Sequence, residues 1–449
     1  LGADDGGVTQ YDRVSEIAGP VDRVVVVGAG IAGLAAASRL RGAGIDCVVL
    51  EARDRIGGRL HTVELAGTPV DLGGSWIHHP IGNPLTAFCD GHGVVRNAGN
   101  PIPSLSAFDR VDRQRLDRAE ITTYSVSESG AFWDSVRLLS ERLGPDATVR
   151  DAIEAHVAER GLDGAVARRV RQELLAEVEA DAPDTADKHS LGWLATDEDF
   201  GGDLFGDLPR GGYRSVVSAV AEGLDIRCNT EIDAVEVGAD GVRVAGADGS
   251  VEAGSHVIVT VPLGVLKRGR PRFEPPLPTP VQGAIEALGF GRYEKIALRF
   301  ESAFWRDDGV SHLIVFPAGE QEPAMWVFDL DAFGTGPVLC AHLFHSITPY
   351  ALDQPPTQAV EWLKGVLTDV FGRRVPEPVA TVVTAWANDP FAGGAYSHCP
   401  QGAPPLNVRP ARRARARSSV ARRRHAQSAR PGYADGAYVS GLRAAERLV

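Results

Sequence analysis

The sequence predicts an α/β protein, in which a parallel sheet with a β-meander is joined to a second part of mixed sheet and helices. Two observations carry this. "RVVVV" (23–27) is an unbroken β-branched run, the pattern of a strand buried on both faces. "GAGIAG", an Ala/Leu-rich helix and "DCVVLEAR" follow it and complete one βαβ unit. Farther on, "DIRCNTEIDAVEVGADGVRVAGADGSVEAGSHVIVTVP" alternates polar and β-branched residues around "ADG" turns. That is a meander returning to a buried strand, "HVIVTV".

The remaining elements follow in order. Residues 130–180 have helical periodicity, and 213–223 and 356–371 read as further helices. "PRFEPPLPTP" is a proline-rich connection. "YEKIALRF", "SHLIVFP", "AMWVFDL" and "PVLCAHLF" are strands. There is no internal repeat.

At 449 residues the chain has room for two domains. Hydrophobic residues are 44% and charged residues 23%, an ordinary globular balance. Net charge is −13, yet nine arginines lie between Arg409 and Arg430. With those set aside, 37 basic residues face 59 acidic ones, a balance of −22. Such an acidic body attracts cationic small molecules and repels nucleic acid, so no nucleic-acid partner is expected. The five cysteines are dispersed without CxxC spacing, which argues against a disulfide framework or a zinc site and fits a cytoplasmic protein. The chain does not begin with Met, and its first twenty residues lack the basic and apolar regions of a signal peptide. No apolar run reaches the ~18 residues of a membrane span, and no metal-ligand cluster is visible. A monomer or homodimer is expected.

Gly28, Gly30 and Gly33 form G-x-G-x-x-G, with Ile31 and Ala32 inside it, between a strand and a helix. Glycine permits the tight turn and the close approach of backbone to a pyrophosphate, and the helix N-terminus offers free N–H groups. Glu51 stands about 20 residues on, where a carboxylate holds ribose hydroxyls. This is a Rossmann-type dinucleotide site. Glu51 would repel the 2′-phosphate of NADP. "RIGGR" (Arg55–Arg59, with Gly57 and Gly58) adds donors for a pyrophosphate. "VDLGGSWIH" (Val70–His78, with Leu72 and Gly73) adds a third glycine-rich turn that lets backbone approach a flat ring.

Taken together, these pieces resemble the flavin-containing amine oxidases: polyamine oxidases, monoamine oxidases and flavin-dependent histone lysine demethylases. The matching segments are "VVVVGAGIAGLAAASRL", "LEARDRIGGRLHT", "DLGGSWIHHPIGNPL", "LPRGGYRSVVSAVAEGL", "VIVTVPLGVLK", "RFEPPLP", "LGFGRYEKIALRFESAFW" and "PGYADGAYVSGLRAAERLV". "WIH" and "PLGVLK" are similar to the polyamine-oxidase branch.

The resemblance implies FAD as cofactor and a Rossmann-type FAD-binding domain built from 20–96, 205–268 and 386–449. A substrate domain of mixed sheet and helices would come from 97–204 and 269–385. It implies that Glu51, flanked by Ala52, holds the adenosine ribose. Arg53, Gly58 and Arg59 would run along the pyrophosphate and ribityl chain. Gly74, Ser75 and Trp76 would lie beside the flavin, and the backbone of Ile232 would meet adenine. Trp386 is grouped with the cofactor residues, although its character also suits structural packing; Trp305 is read as structural. Alternation puts Lys295 on the side of Ala297 and Arg299, which by itself reads as an exposed strand lysine. The resemblance instead places Lys295 at flavin N5, holding a water. His78 would line the amine pocket, and Tyr396 and Tyr433 would flank the substrate.

The reaction implied is oxidation of a C–N bond in a polyamine or alkylamine. A hydride equivalent passes to flavin N5, the imine hydrolyses, and O₂ is reduced to hydrogen peroxide. An L-amino-acid oxidase on the same scaffold, or a silent FAD-binding protein, stays open at this point.

One segment departs from the family pattern. Between "CPQG" (Cys399–Gly402) and "PGYADGAY" (Pro431–Tyr438) the family keeps a strand of the type "RLFFAGEAT", whose Gly-Glu/Asp touches FAD. This chain has "APPLNVRPARRARARSSVARRRHAQSAR" at nearly the same length. Codons CGG CGA CGC CAC GCA spell Arg422–Ala426; read one base later they give Gly-Asp-Ala-Thr. The expectation is a pair of compensating frame errors around residues 404–427. A solvated basic loop is the alternative.

Overall fold

A computed structural model describes residues 21–97, 105–194, 205–402 and 432–449. The arginine-rich segment, with the frame-error expectation attached to it, lies outside them.

The strand Arg23–Val27 (β1), the helix Ile31–Gly42 (α1) and the strand Asp46–Leu50 (β2) form the expected βαβ unit. β1 and β2 pair in parallel, flanked in parallel by His256–Val259 and Ile226–Arg227. The β-branched run is buried on both faces for a visible reason. Val24 and Val26 pack into the core around α1, and Val25 and Val27 pack into the core shared with the meander. The meander forms its own sheet from Ile232–Gly238, Gly241–Gly246 and Val251–Gly254.

Three local expectations are corrected. The strand His256–Val259 is mostly half-buried, because it is the edge of the parallel sheet. The helix expected over 213–223 spans Arg214–Val220 only. The proline-rich connection holds structure at both ends. Arg272–Glu274 joins the meander sheet as a parallel edge strand, where proline next to a strand is tolerated. Thr279–Ala287 is a helix with proline in its first turn.

The second part is a seven-stranded mixed sheet under helices. Ser129–Leu143, Val149–Glu159 and Gly164–Asp181 (α2) are the helices of the 130–180 region. The sheet runs Ala380–Val383, Glu294–Arg299 (β3), Val338–Leu343 (β5), Met325–Asp329 (β4), His312–Phe316, Leu105–Asp109, Gln114–Arg115. Leu105–Asp109, which periodicity did not reveal, pairs in parallel with His312–Phe316. The sheet has two buried faces. Ile296 and Leu298 pack into the large core with the helices, whereas Ala297 packs with Leu72, Trp76, Phe328 and Trp386. This second face positions the site.

The C-terminal helix Ala434–Glu446 (α3) lies across α1. A Cβ on Gly441 would stand 1.9 Å from the carbonyl of Ala32, so only glycine allows the two helices this close.

Candidate functional site

The glycine-rich turn forms a cradle. Gly28 has φ +102° and Gly33 sits against the Gly28 carbonyl, so both are required by the turn itself. Gly30 differs: a Cβ there would meet nothing within 4 Å. The space above it is open, at the N-terminus of α1. Gly30 supplies no side-chain cap, and no acid lies in the first turn. The N–H groups at the start of α1 thus face open space, the arrangement that binds an anion. Ile31 turns its side chain into the core around α1, leaving its backbone at the cradle. Gly57 (φ +95°) and Gly58 (φ +59°) bring the "RIGGR" turn to within 3.4 Å of the Gly30 Cα, measured from a Cβ on Gly58.

Of the three arginines at the cradle, one is paired with an acid among the described residues. Arg53 is bidentate to Asp389, at 2.7 and 2.9 Å. Arg55 and Arg59 have no carboxylate partner among the described residues; Arg55 donates to the Gly58 carbonyl and Arg59 to the Ala395 carbonyl. Burial, together with the neighbouring Arg53 charge, lowers the Arg55 guanidinium to about 10, and burial lowers Arg59 as well. Two desolvated cations beside an open helix N-terminus fit a diphosphate.

Glu51, the first residue after β2, is buried, and its carboxylate accepts from the backbone N–H of Ala29 and Arg53, at 2.8 and 2.9 Å. It ties the glycine-rich turn to the loop that carries Ala52. Beside it, Leu50, Arg227, Thr230, Ile232 and Val244 line a cavity of ≈ 200 Å³. Glu51, Ile232 and this cavity fit the adenosine end of FAD.

Lys295 is 5% exposed. Alternation held, but its face of the sheet is covered, so the exposed reading fails. Its Nζ donates to the carbonyls of Asp71 (3.1 Å) and Gly73 (2.6 Å) and to Ser75 Oγ (2.8 Å). It also lies 5.9 Å from the centre of the Trp76 ring. The "DLGGSW" loop is therefore wrapped around one buried ammonium, whose pKa burial lowers. Gly73 is pressed against the Arg59 carbonyl, and Gly74 against Leu60. Trp386 backs the loop by donating from Nε1 to the Leu72 carbonyl at 3.0 Å.

An aromatic wall stands on the same side. Trp76 packs against Phe205, Phe328, Phe333 and His342. His78 and Tyr433 meet edge to face at 5.3 Å, and Tyr433 donates to Asp181 at 2.8 Å. Tyr396 packs on Tyr293 at 5.6 Å and touches the position of a Gly432 Cβ, next to Tyr433. The structure thus gathers Lys295, Trp76, His78, Tyr396 and Tyr433 around one region.

Sequence reasoning missed Tyr293, Glu294, Phe328 and His342. Glu294 is fully buried and accepts from Thr384 Oγ1 and from the N–H of Trp386 and Ala387, fixing the indole behind the loop. Tyr293 and Glu294 flank Lys295 in sequence, and that proximity was the available signal. Phe328 and His342 carried none, because only strand pairing brings them there.

Comparison with known proteins agrees with this geometry. The family profile described as flavin containing amine oxidoreductase matches residues 31–449. Lysine-specific histone demethylase 1 homolog 3 of Oryza sativa subsp. japonica is 33% identical over 403 residues, covering 85% of this chain and 48% of that protein. Polyamine oxidase 4 of the same organism is 30% identical over 445 residues, covering 94% and 88%. The chain thus spans about half the length of that demethylase. A solved structure of a putrescine oxidase triple mutant with redesigned cofactor binding shares the fold, with a TM-score of 0.70 at 22% identity, covering 95% of this chain and 98% of that one. Fold, cradle and profile agree, and the chain belongs to the flavin-containing amine oxidoreductase family.

Proposed function

We propose that the protein is an FAD-dependent amine oxidase that breaks a C–N bond of a polyamine or alkylamine, with O₂ as co-substrate and H₂O₂ as a product. The observation that carries the reading is Lys295, buried in the "DLGGSW" loop beside a wall of aromatic rings. In this reading 20–96, 205–268 and 386–449 bind FAD, and 97–204 and 269–385 shape the substrate pocket.

Each residue then has a task. Arg55, Arg59 and the start of α1 neutralise the pyrophosphate, and Glu51 takes the ribose hydroxyls. Lys295 holds the Gly73–Ser75 backbone in place for the ring system. The faces of Tyr396 and Tyr433 draw in a cationic amine and pack on its alkyl chain. Loss of hydride from the carbon beside nitrogen needs an uncharged amine. A desolvated pocket beside the Lys295 cation lowers the amine pKa from its ordinary ~10 and so favours that form. When bound, FAD supplies the hydride acceptor and passes the electrons on to O₂.

The test uses the purified chain loaded with FAD. Visible flavin absorbance and H₂O₂ release are measured together on polyamines, monoamines and amino acids. Release on amines is expected; a folded, colourless and inert protein overturns the proposal. The 33% identity to the rice demethylase favours a second reading, oxidation of a methylated lysine side chain, so a methyl-lysine peptide belongs in the same panel.

A further inference from the structure

Asp181 ends α2, and Asp184 stands in the turn that follows it. Tyr433 Oη donates to Asp181 Oδ1 at 2.8 Å. The same carboxylate acts on Tyr396: burial, and then the Asp181 charge, push its hydroxyl up to about 12. One acid thus stands beside both tyrosines of the candidate site.

Asp184 meets the Tyr396 segment from behind. His398 Nε2, two residues past Tyr396, and His345 Nε2 each lie 3.4 Å from the Asp184 carboxylate. His398 is buried and packs edge to face on His189 at 4.8 Å. It leaves no room for a Cβ on Gly289, its partner in the strand pairing. Between the two acids, the Pro183 carbonyl accepts from the Arg292 N–H at 3.1 Å and excludes any Cβ on Gly291. Gly291 in turn donates its N–H to the Tyr396 carbonyl at 2.8 Å.

Neither tyrosine is fixed by its own element. Tyr433 precedes the first turn of α3, and Tyr396 precedes a strand of two residues. An aromatic ring attracts a cation with its face, so its tilt decides how well it does so. Holding that tilt before the amine arrives removes an ordering cost from binding.

We infer that Asp181 and Asp184 are positioning residues for the two tyrosines: Asp181 sets the Tyr433 ring through its hydroxyl, and Asp184, through His398, sets the segment that carries Tyr396. The inference rests on the amine-oxidase reading above, and gives its substrate-flanking tyrosines their anchors.

The test measures KM and kcat on one amine with the FAD-loaded enzyme. Alongside, it measures the Kd of an alkyltrimethylammonium ion, which lacks the lone pair that hydride loss requires, from the shift of flavin absorbance. Asp181→Ala is expected to raise KM and Kd by about fivefold, with kcat within about twofold of wild type. Tyr433→Phe is expected to match it, and the double variant to be no worse than either, since both remove one bond. Asp181→Asn keeps the acceptor oxygen and is expected to recover most of the affinity. Asp184→Asn is expected to raise KM by about threefold, an effect that multiplies with that of Asp181→Ala because the two acids serve different tyrosines. Asp181→Asn as poor as Asp181→Ala, which would make Asp181 a counter-charge and not an anchor, overturns the inference. So does a wild-type KM in Tyr433→Phe or in folded Asp184→Asn. Amine oxidation stands in each of these cases. Wild type that turns over no amine overturns the underlying reading, and the inference with it.

Discussion

Lys295 and Ser75, 220 positions apart in sequence, meet at 2.8 Å, Nζ to Oγ. The contact joins the seven-stranded sheet to the glycine-rich loop beside the aromatic wall. Replacing Lys295 by Met would leave Ser75 Oγ and the carbonyls of Asp71 and Gly73 without their shared donor. Amine-dependent O₂ consumption is expected to fall by at least about tenfold, on the order of 1.4 kcal/mol in the barrier. An oxygen electrode, normalised to flavin content, reads it.

Gly30 and Gly33 separate cofactor binding from folding. Gly30 has φ −69°, which alanine adopts freely, and its Cβ would meet no protein atom. Gly30→Ala is therefore expected to keep the apo-protein Tm and weaken FAD binding by about tenfold. At Gly33 a Cβ would lie 1.9 Å from the Gly28 carbonyl, so Gly33→Ala lowers the Tm of the apo-protein itself. Thermal melts with and without FAD distinguish the two.

Glu51→Gln keeps the shape and loses one of two acceptors, since Oε2 serves Ala29 and Oε1 serves Arg53. A weaker FAD complex, by roughly tenfold, is expected, with kcat of the loaded enzyme little changed. Titration of apo-protein with FAD measures it.

Glu179 on α2 predicts a pH dependence of stability. Burial raises its pKa to about 7, although Ser346 donates to it twice. The folded state therefore holds this proton more tightly than the unfolded chain. The stabilisation is present at low pH and lost as pH rises from the ordinary carboxyl value through about 7. Wild-type Tm should drop between pH 5 and 8 (roughly the window bracketing the shift), and Glu179→Gln should drop less. An equal slope in both would assign the effect to other groups.

The arginine-rich stretch makes a prediction about DNA. Coding sequence across residues 404–427 is expected to hold a shifted frame that reads Gly-Asp/Glu-Ala-Thr. Resequencing that finds a single intact frame with no such hidden string removes the frame-error explanation.

The cradle was legible because its parts are local. Gly28, Gly30 and Gly33 stand in one turn, and Glu51 follows one βαβ unit later, so spacing alone assembles them. The strand Leu105–Asp109 was not legible, because its partner His312–Phe316 lies about 200 residues away and its own five residues carry no period. Lys295 was legible in kind but not in environment. Alternation gives the side of a strand, and cannot give what covers that side.

The sequence by itself determined the nucleotide-binding turn, the strands and helices around it, and the family resemblance, because each depends on short spacings and residue character. Only the tertiary structure decided that both faces of β3 are buried and that Arg55 and Arg59 have no acid partner among the described residues. It also decided that Tyr293 and His342 pair beside Lys295. Those facts depend on register between strands far apart in the chain, and register is set by packing that no local pattern encodes.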